Sequence, residues 1–372
     1  MASTVSTNLP ILSIDRTVNI LSESYLSVIK SGLSPKILPS VMLWGPPGVG
    51  KSQAVRQIAK TIEADSGKHV EVTDVRLLLF NPIDLRGIPV ASEDRTLAVW
   101  LKPKIFQMDP GNNIINILFL DEISAAPQSV QAAAYQITLD RVVGEHKLPD
   151  NCIVIAAGNR VTDKSVSFKM PKALANRLLH IEIEGSFESW RKWAVKAGIN
   201  EKVLGYLSFR NDRLFGFDVT NDDLAFPTPR SWEMVSSILN HVKDNVAVMY
   251  PMIAGLIGAG PAIEFRTWCK VYNDLPTMDD IFSGITIDVP KGTDAMYALV
   301  SSMTAHASEH RNDVIAIGNS LSYARRLPAD FAELLIQNYR DFDKEYEQFL
   351  RSVPEYMEYA AKRGRVRNGN VQ

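Results

Sequence analysis

Short, uninterrupted apolar runs alternate with segments of helical periodicity through roughly the first 185 residues. Five runs are predicted as strands: Val41–Trp44, Val70–Val75, Ile115–Leu120, Cys152–Ala157 and Leu179–Ile183. Continuous apolar runs, rather than apolar–polar alternation, are typical of parallel strands that are buried on both faces. Helices are predicted between the strands, at Ser52–Ala64 and Ser129–Leu139. The alternation predicts an α/β fold with a doubly wound parallel sheet.

Two short segments interrupt this alternation and are predicted to be inserted hairpins. Asp84–Lys104 contains Gly87 and Pro89, then a charged tip at Glu93–Arg95 and a β-prone apolar run. Val142–Pro149 forms a second predicted hairpin just before the fourth strand. Both have the turn-forming residues between short apolar runs that indicate paired strands.

The pattern after about residue 186 is helical. Amphipathic helices are predicted at Phe187–Ala197 and Phe331–Leu350, and another helix at Ser231–Asn240. The segment Ala225–Pro229 has a proline at its end and is interpreted as a linker.

These features predict three regions along the chain. An α/β domain covers residues 1–225, a helical lid domain covers 226–330, and a C-terminal helix and tail cover 331–372. From about residue 362 the composition predicts disorder. This tail is basic and contains Lys362, Arg363, Arg365 and Arg367.

Composition narrows the classes of function. The chain has 40 Lys+Arg and 42 Asp+Glu, so a nucleic-acid or membrane partner has no support from global charge. Cys152 and Cys269 are too few for a disulfide scaffold or a cysteine-rich zinc module, and we expect both to be reduced. The segment Met1–Pro10 lacks the layout of a secretory signal, and no apolar run is long enough for a membrane span. A soluble, cytoplasmic protein is therefore expected.

A phosphate-binding pattern follows the first predicted strand and begins the first predicted helix. The pattern G-x-x-x-x-G-K-[ST] surrounds phosphates with backbone N–H groups at a helix N-terminus. Lys51 is predicted to contact the β- and γ-phosphates, and Ser52 to bind Mg²⁺. The predicted cofactor-binding residues are Gly45, Pro46, Pro47, Gly48, Val49, Gly50, Lys51, Ser52 and Gln53.

Polar side chains follow the third and fourth predicted strands, at the edge of the sheet where open α/β folds bind ligands. Asp121 and Glu122 come directly after the run Ile117–Leu120. Asp121 is predicted to hold Mg²⁺, and Glu122 to act as the general base toward water. Asn159, after the fourth strand, has a donor and an acceptor that could bind both water and the γ-phosphate. A nucleoside kinase needs no such glutamate, so an ATPase is favoured.

In this order the motifs resemble those of the AAA+ ATPases, and specifically the MoxR-like branch with its insertion at helix 2. Gly45–Ser52 resembles the Walker A motif, and Ile117–Glu122 the Walker B motif. Ala156–Asn159 resembles the sensor-1 region. Asp84–Pro103 is similar to the inserted hairpin of the branch, and Leu139–Asn151 to the segment ahead of sensor 1.

The resemblance implies roles for two arginines. Arg177 occupies the place of an arginine finger, which would stabilise charge on the γ-phosphate bound by a neighbouring subunit. Arg141 and Arg160 are alternative fingers. Arg230 matches the sensor-2 position at the start of the lid helix, and it could act on the nucleotide of its own or of a neighbouring subunit.

The resemblance also implies an activity and partners. It implies Mg²⁺-dependent ATP hydrolysis in a homo-oligomeric, hexameric ring, coupled to chaperone-like remodelling of a client protein. The implied client is a von Willebrand factor A-domain protein or a metalloenzyme that requires maturation. Because Arg95 and Lys147 place charge at the two hairpins, we expect the hairpins to face the ring centre and contact the client.

Two other functions stay open at this stage. One is a nucleotide switch, in which ATP binding gates a partner and hydrolysis only resets it. The other is a zinc hydrolase, because His306, Glu309 and His310 match the pattern H-x-x-E-H, although the flanking sequence is polar. GTPases and ABC-type ATPases are disfavoured, since the chain has neither an Asn-Lys-x-Asp nor a Leu-Ser-Gly-Gly string.

Overall fold

The computed structural model describes residues 9–159, 170, 175–216 and 223–369, with backbone alone for 362–369. The chain divides into two compact units, the first ending at Ser186 and the second beginning at Phe187. Among the described residues, no helix combines the length and the apolar character needed to cross a bilayer.

The first unit is built on a six-stranded parallel sheet with the order β1-β10-β2-β9-β6-β3. The strands of this unit are β1 (Ile11–Leu12), β2 (Val41–Trp44), β3 (His69–Arg76), β4 (Ile88–Ala91), β5 (Ala98–Leu101), β6 (Ile114–Asp121), β7 (Val142–Val143), β8 (His146–Lys147), β9 (Cys152–Gly158) and β10 (Leu179–Ile183). All five predicted strands are confirmed within a residue or two at each end. The edge strand β1 was not predicted, because two residues give no periodicity.

Helices cover both faces of this sheet: α1 (Ile14–Lys30), α2 (Lys51–Ser66), α3 (Pro82–Arg86) and α4 (Gln128–Asp140). Successive strand residues point to opposite faces. Leu43 and Phe119 therefore belong to a core shared with α1 and α2. Met42 and Leu120 belong to a second core shared with α4. The doubly wound architecture that the apolar runs predict is confirmed.

Both inserted hairpins are confirmed. β4 pairs antiparallel with β5, and β7 pairs antiparallel with β8. Gly87 begins the first hairpin with φ = 91°, and a Cβ atom there would lie 1.9 Å from the carbonyl oxygen of Leu101. The close approach of the two strands therefore requires glycine at this position.

The regular secondary structure in the described residues of the second unit is helical. Its α-helices are α5 (Phe187–Lys196), α6 (Glu201–Phe209), α7 (Pro229–His241), α8 (Val246–Ile257), α9 (Ala259–Trp268), α10 (Met278–Phe282), α11 (Thr293–Glu309), α12 (Val314–Ala324), α13 (Ala329–Arg340), α14 (Lys344–Leu350) and α15 (Pro354–Gly369). One apolar core runs through the unit, from Trp190 to Val353.

This core explains why the units divide at residue 186, and not at the linker Ala225–Pro229. Trp190 on α5 and Tyr206 on α6 are buried in the same core as Trp232 on α7. The rings of Tyr206 and Trp232 lie 5.5 Å apart. The helices after residue 330 join this core too, through side chains such as Tyr339.

Two details near the C-terminus differ from the sequence prediction. Phe331–Leu350 is not one helix but α13 and α14, because the Asp343 side chain accepts a hydrogen bond from the Tyr346 N–H at 2.7 Å and starts a new helix. Helix α15 continues to Gly369, where composition predicted disorder from about residue 362. Lysine and arginine are good helix formers, which fits this continuation. The side chains of the basic tail lie outside the described part of the chain.

Candidate nucleotide-binding site

The backbone conformation of the loop between β2 and α2 requires glycine at several positions. Gly48 and Gly50 have φ = 82° and 94°, in the left-handed region that other residues rarely adopt. A Cβ atom on Gly45 would lie 2.6 Å from the Ile183 carbonyl oxygen, and one on Gly50 would lie 2.7 Å from the Ile14 side chain. The loop therefore follows a path that only glycine permits, ending at the N-terminus of α2.

The other predicted residues of this loop differ in exposure. Val49 is buried and anchors the loop in the core shared with α1 and α2. Pro46 and Ser52 are half-buried, and Pro47 and Gln53 are exposed.

Lys51 joins this loop to the end of a neighbouring strand. Its side chain is buried, and Nζ donates to the carbonyl oxygens of Gly45 and Pro46 at 2.6 and 3.1 Å. Nζ also donates to Oδ1 of Asn159 at 2.8 Å. The residues predicted for the phosphate site and for sensor 1 are therefore in direct contact.

The two predicted magnesium ligands also contact each other. Ser52 Oγ donates to Asp121 Oδ2 at 2.8 Å. Asp121 Oδ1 accepts from the backbone N–H of Glu122 at 2.9 Å, which fixes the orientation of the carboxylate. A hydroxyl and a carboxylate oxygen this close together form a donor set that suits a hard cation such as Mg²⁺.

Glu122 occupies a strained turn at the end of β6. Its φ is 58°, in the left-handed region, and its side chain is half-buried. The next residue ties the turn to β9, because Ile123 N–H donates to the Ala157 carbonyl oxygen at 3.0 Å. A non-glycine residue in this conformation costs on the order of 1 kcal/mol, a strain that is typical of functional sites.

Ser124 is a residue of this site that the sequence analysis missed. It is 2% exposed, and its Oγ accepts from the Asn159 N–H at 2.8 Å. Gln131 Nε2 donates to the carbonyl oxygens of Ser124 and Ala126 at 3.1 and 3.0 Å, which holds the segment. Ser124 thus links the turn after Asp121 to Asn159. Its position two residues after Glu122 is the only signal that the sequence offered.

Asp74 on β3 is a second residue that was missed. Its strand pairs with β6, with Arg76 beside Asp121 in the register. Burial, and then the negative charge of Asp121, raise the pKa of Asp74, although Arg76 and Arg56 oppose this shift. The Arg56 guanidinium lies 3.8 Å from the Asp74 carboxylate. The acidic character of the site therefore extends beyond Asp121 and Glu122.

The predicted arginines occupy different environments. Arg177 is exposed, in the turn that precedes β10. Arg141 is held within its own subunit, because its guanidinium donates to the carbonyl oxygens of Cys152 at 2.6 Å and Leu38 at 3.4 Å. Arg160 lies outside the described residues. Arg230 is exposed on the first turn of α7 in the second unit.

The H-x-x-E-H string lies at the end of α11. The rings of His306 and His310 are 4.5 Å apart, and His306 Nε2 lies 3.6 Å from an Asp279 carboxylate oxygen. Within the described ranges, however, no group of three or more His, Cys, Asp or Glu side chains could hold a metal ion. The zinc-hydrolase alternative therefore has no geometric support.

A parallel sheet with a glycine loop, a lysine, a serine–carboxylate pair and a glutamate at one edge defines a P-loop nucleotide-binding domain. Residues 40–180 match the family model described as "ATPase family associated with various cellular activities (AAA)". The matched segment lies within the first unit and contains the glycine loop, Asp121, Glu122 and Asn159. No curated protein matches the chain.

Several solved structures resemble the chain at low identity. A RuvB variant from Thermotoga maritima is 17% identical, with 79% of this chain and 86% of that chain covered and a TM-score of 0.35. Domain III of the replication initiation protein DnaA from the same organism is 14% identical, with coverages of 68% and 95% and a TM-score of 0.36. A Drosophila ORC structure bound to DNA is 11% identical, with coverages of 90% and 80% and a TM-score of 0.32. Likenesses this weak have no bearing on the function of the chain.

Proposed function

We propose that this protein is a Mg²⁺-dependent ATPase of the MoxR-like branch, which assembles into a hexameric ring and remodels a partner protein. The observation that carries the ATPase proposal is the pair of contacts made by the first two residues of α2. Lys51 contacts Asn159, and Ser52 contacts Asp121, so three motifs far apart in sequence meet at one edge of the sheet.

Each residue of the site would have a separate role in hydrolysis. Backbone N–H groups of the loop and the N-terminus of α2 bind the phosphates, and Lys51 exchanges its carbonyl acceptors for phosphate oxygens. Ser52 and Asp121 hold Mg²⁺, which neutralises charge on the phosphates. Glu122 accepts the proton of the attacking water, and Asn159 orients that water through its amide.

The proposed ring places part of each site on the neighbouring subunit. Arg177 is exposed, which suits a side chain that must reach a nucleotide bound elsewhere. Its planar guanidinium can donate two hydrogen bonds to the γ-phosphate as charge builds up. Arg230 is proposed to contact the nucleotide as sensor 2.

The two hairpins are proposed to contact the client, and two observations support their acting together. His146 Nε2 lies 2.8 Å from the Trp100 carbonyl oxygen, joining β8 to β5. A Cβ atom on Gly144 would lie 2.4 Å from the Arg86 carbonyl oxygen, so the second hairpin packs against the start of the first. The first hairpin and the residues before it also line a groove of about 480 Å³, whose lining includes Leu79, Ile83, Ile88, Leu101, Lys102 and Ile105.

The apolar side chains of the first hairpin are unusually exposed for a folded domain. Ile88, Leu97 and Leu101 are 58%, 69% and 56% exposed. Clustered apolar side chains at a surface mark sites that bind another molecule. The resemblance suggests a von Willebrand factor A-domain protein or an immature metalloenzyme as that partner.

In the first step of the test, Glu122→Gln protein with ATP captures the partner protein. The captured partner is then purified and used as the substrate for remodelling. Wild-type protein with ATP and Mg²⁺ should change the protease sensitivity of the purified partner. Deleting Glu93–Arg95 at the hairpin tip, or Trp100→Ala, should abolish that change while ATP hydrolysis and assembly stay intact. Remodelling that survives both changes would refute the role of the hairpins.

A further inference from the structure

A chain of hydrogen bonds connects the last residue before the glycine loop with the turn that carries Arg177. Trp44 Nε1 lies 2.8 Å from His180 Nδ1, and the two rings are nearly parallel, with an interplanar angle of 15° and centroids 6.0 Å apart. His180 Nε2 lies 2.7 Å from the Ala175 carbonyl oxygen. The sheet register explains this proximity, because His180 pairs with Met42, and Trp44 lies two residues further along the same face of β2.

The chemistry of these groups fixes the tautomer of His180. An indole nitrogen can only donate a hydrogen bond, so Nδ1 of His180 must accept from Trp44. A neutral imidazole with an acceptor at Nδ1 carries its hydrogen on Nε2. His180 therefore donates to the Ala175 carbonyl oxygen, and the hydrogen bond from the Trp44 indole holds the ring in the orientation that this bond requires.

The Ala175 carbonyl oxygen also closes the turn that contains Arg177. It accepts from the Leu178 N–H at 3.2 Å, so residues 175–178 form a hydrogen-bonded turn with Arg177 at its third position. Leu178 is buried, whereas Arg177 is exposed. The backbone turn that carries Arg177 is thus closed by a carbonyl group that accepts two hydrogen bonds, one of them from His180.

We propose that His180 is a positioning residue for Arg177. By donating to the Ala175 carbonyl oxygen, it holds the turn so that the guanidinium is presented in one direction. This inference rests on the proposed function, in which Arg177 completes the site of a neighbouring subunit. At each interface between two subunits, His180 would act in the subunit that supplies the arginine, and not in the subunit whose nucleotide is hydrolysed.

The test uses mixed assemblies of two inactive proteins. Arg177→Ala subunits keep the nucleotide site but lack the arginine, and Glu122→Gln subunits keep the arginine but cannot hydrolyse. An equimolar mixture should recover hydrolysis at interfaces where a Glu122→Gln subunit presents Arg177. His180→Asn is then introduced into one parent at a time, and kcat and KM for ATP are measured.

The expected result depends on which subunit carries the change. In the Glu122→Gln subunit, His180→Asn should lower the recovered kcat about tenfold with KM unchanged, as for a lost hydrogen bond that orients a reacting group. In the Arg177→Ala subunit the same change should leave the recovered rate within about twofold. Equal losses in both positions would mean general damage to the fold, and would overturn the inference.

A conservative variant separates the bond to Ala175 from the bulk of the ring. The amide nitrogen of glutamine extends about as far as Nε2 of histidine and can donate to the Ala175 carbonyl oxygen, whereas the shorter asparagine amide cannot. His180→Gln in the Glu122→Gln subunit should therefore restore the rate to within about threefold of the parent mixture. Equal loss with glutamine and asparagine would overturn the inference.

The parent mixture separates this inference from the proposed function. If wild-type protein hydrolyses ATP but the mixture of parents recovers nothing, Arg177 does not act between subunits, and both proposals fail. If the mixture recovers and His180→Asn has no effect in either subunit, the role of His180 alone is refuted.

Discussion

The ammonium nitrogen of Lys51 lies 2.8 Å from the amide oxygen of Asn159, although 108 positions separate the two residues. This bond joins the loop that would bind phosphate to the strand end that would orient water. Phosphate oxygens would compete with Asn159 and the loop carbonyls for the ammonium group. Nucleotide binding would therefore release the Asn159 amide for its role in hydrolysis.

Lys51→Ala should abolish nucleotide binding, because it removes the cation that faces the phosphates and its contact with Asn159. Glu122→Gln should retain binding but lose turnover, since an amide cannot accept the proton of water. Equilibrium binding of a fluorescent ATP analogue and steady-state hydrolysis measure the two effects. Tight binding by Lys51→Ala protein would show that phosphate is bound elsewhere.

Arg177→Ala should leave ATP binding unchanged and lower kcat by roughly 10³-fold, the contribution typical of an arginine finger. Lys60→Ala, which removes an exposed cation from α2, is the matched control and should hydrolyse normally. Normal hydrolysis by Arg177→Ala protein would contradict the assignment. Arg160 would then be the next candidate, since Arg141 is held by carbonyl groups of its own subunit.

Ser124→Ala should lower kcat about tenfold while nucleotide affinity stays the same, because it removes the acceptor that fixes the Asn159 backbone. Ser40→Ala is a matched control, as Ser40 is also a buried serine whose Oγ makes one bond, to the Thr138 carbonyl oxygen. Comparing kcat and thermal stability for the two variants separates positioning from lost stability. Equal kcat losses would show that Ser124 has only a structural role.

Arg191→Met should destabilise the helical unit by about 3 kcal/mol, the low end for a broken buried pair, because it leaves the partly buried Asp341 carboxylate without the cation that contacts it. Arg191 is fully buried, and its guanidinium lies 3.2 Å from Asp341 and also bonds Asn338. Denaturant unfolding followed by tryptophan fluorescence measures the loss. Lys243→Met, which removes an exposed lysine elsewhere in the same unit, is the control and should have little effect.

The Arg191→Met defect should depend on pH. Burial raises the pKa of Asp341, and Arg191 opposes that shift, so removing the arginine raises the pKa further. A carboxyl group whose pKa is higher in the folded state than in the unfolded state binds more protons when the protein is folded. Its protonation therefore stabilises the folded state as the pH falls toward the raised pKa. The difference in unfolding free energy between wild type and variant should be largest at neutral pH and shrink on acidification. A constant difference would mean that Asp341 is not the cause.

Glu122→Gln protein should change its solution mass when ATP is added with Mg²⁺. A shift from the 41.4 kDa monomer to roughly six times that mass would follow from nucleotide sites shared between subunits. Light scattering coupled to size-exclusion chromatography measures it, with Lys51→Ala protein as the control that should not respond. A monomer under all conditions would remove the basis for an arginine acting between subunits.

The sequence predicted the sheet well because its strands are buried on both faces. Val41–Trp44 and Leu179–Ile183 were placed at the correct residues, and the loop after Trp44 was recognised because few residues other than glycine can follow its path. Ser52 and Asp121 were each predicted to bind Mg²⁺, and their side chains are in contact. The roles of Arg177 and Arg230 remain predictions.

Other features depend on contacts that no local pattern encodes. Ser124 is linked to Asn159 by one hydrogen bond, and His180 to Trp44 and Ala175 by two, and neither side chain differs in type from many polar residues nearby. The break between α13 and α14 was missed because the apolar periodicity continues across it, while the Asp343 cap interrupts the helix.

The single core of the second unit has a practical consequence for dividing the chain. A cut after Ser186 keeps Trp190 and Tyr206 in the same fragment as the apolar side chains of their core. Cutting at the proline-flanked segment instead separates these two side chains from Trp232 and exposes apolar surface on both fragments. Limited proteolysis of the folded protein should therefore release two folded, protease-resistant fragments of similar size. Protein truncated at residue 225 should be insoluble.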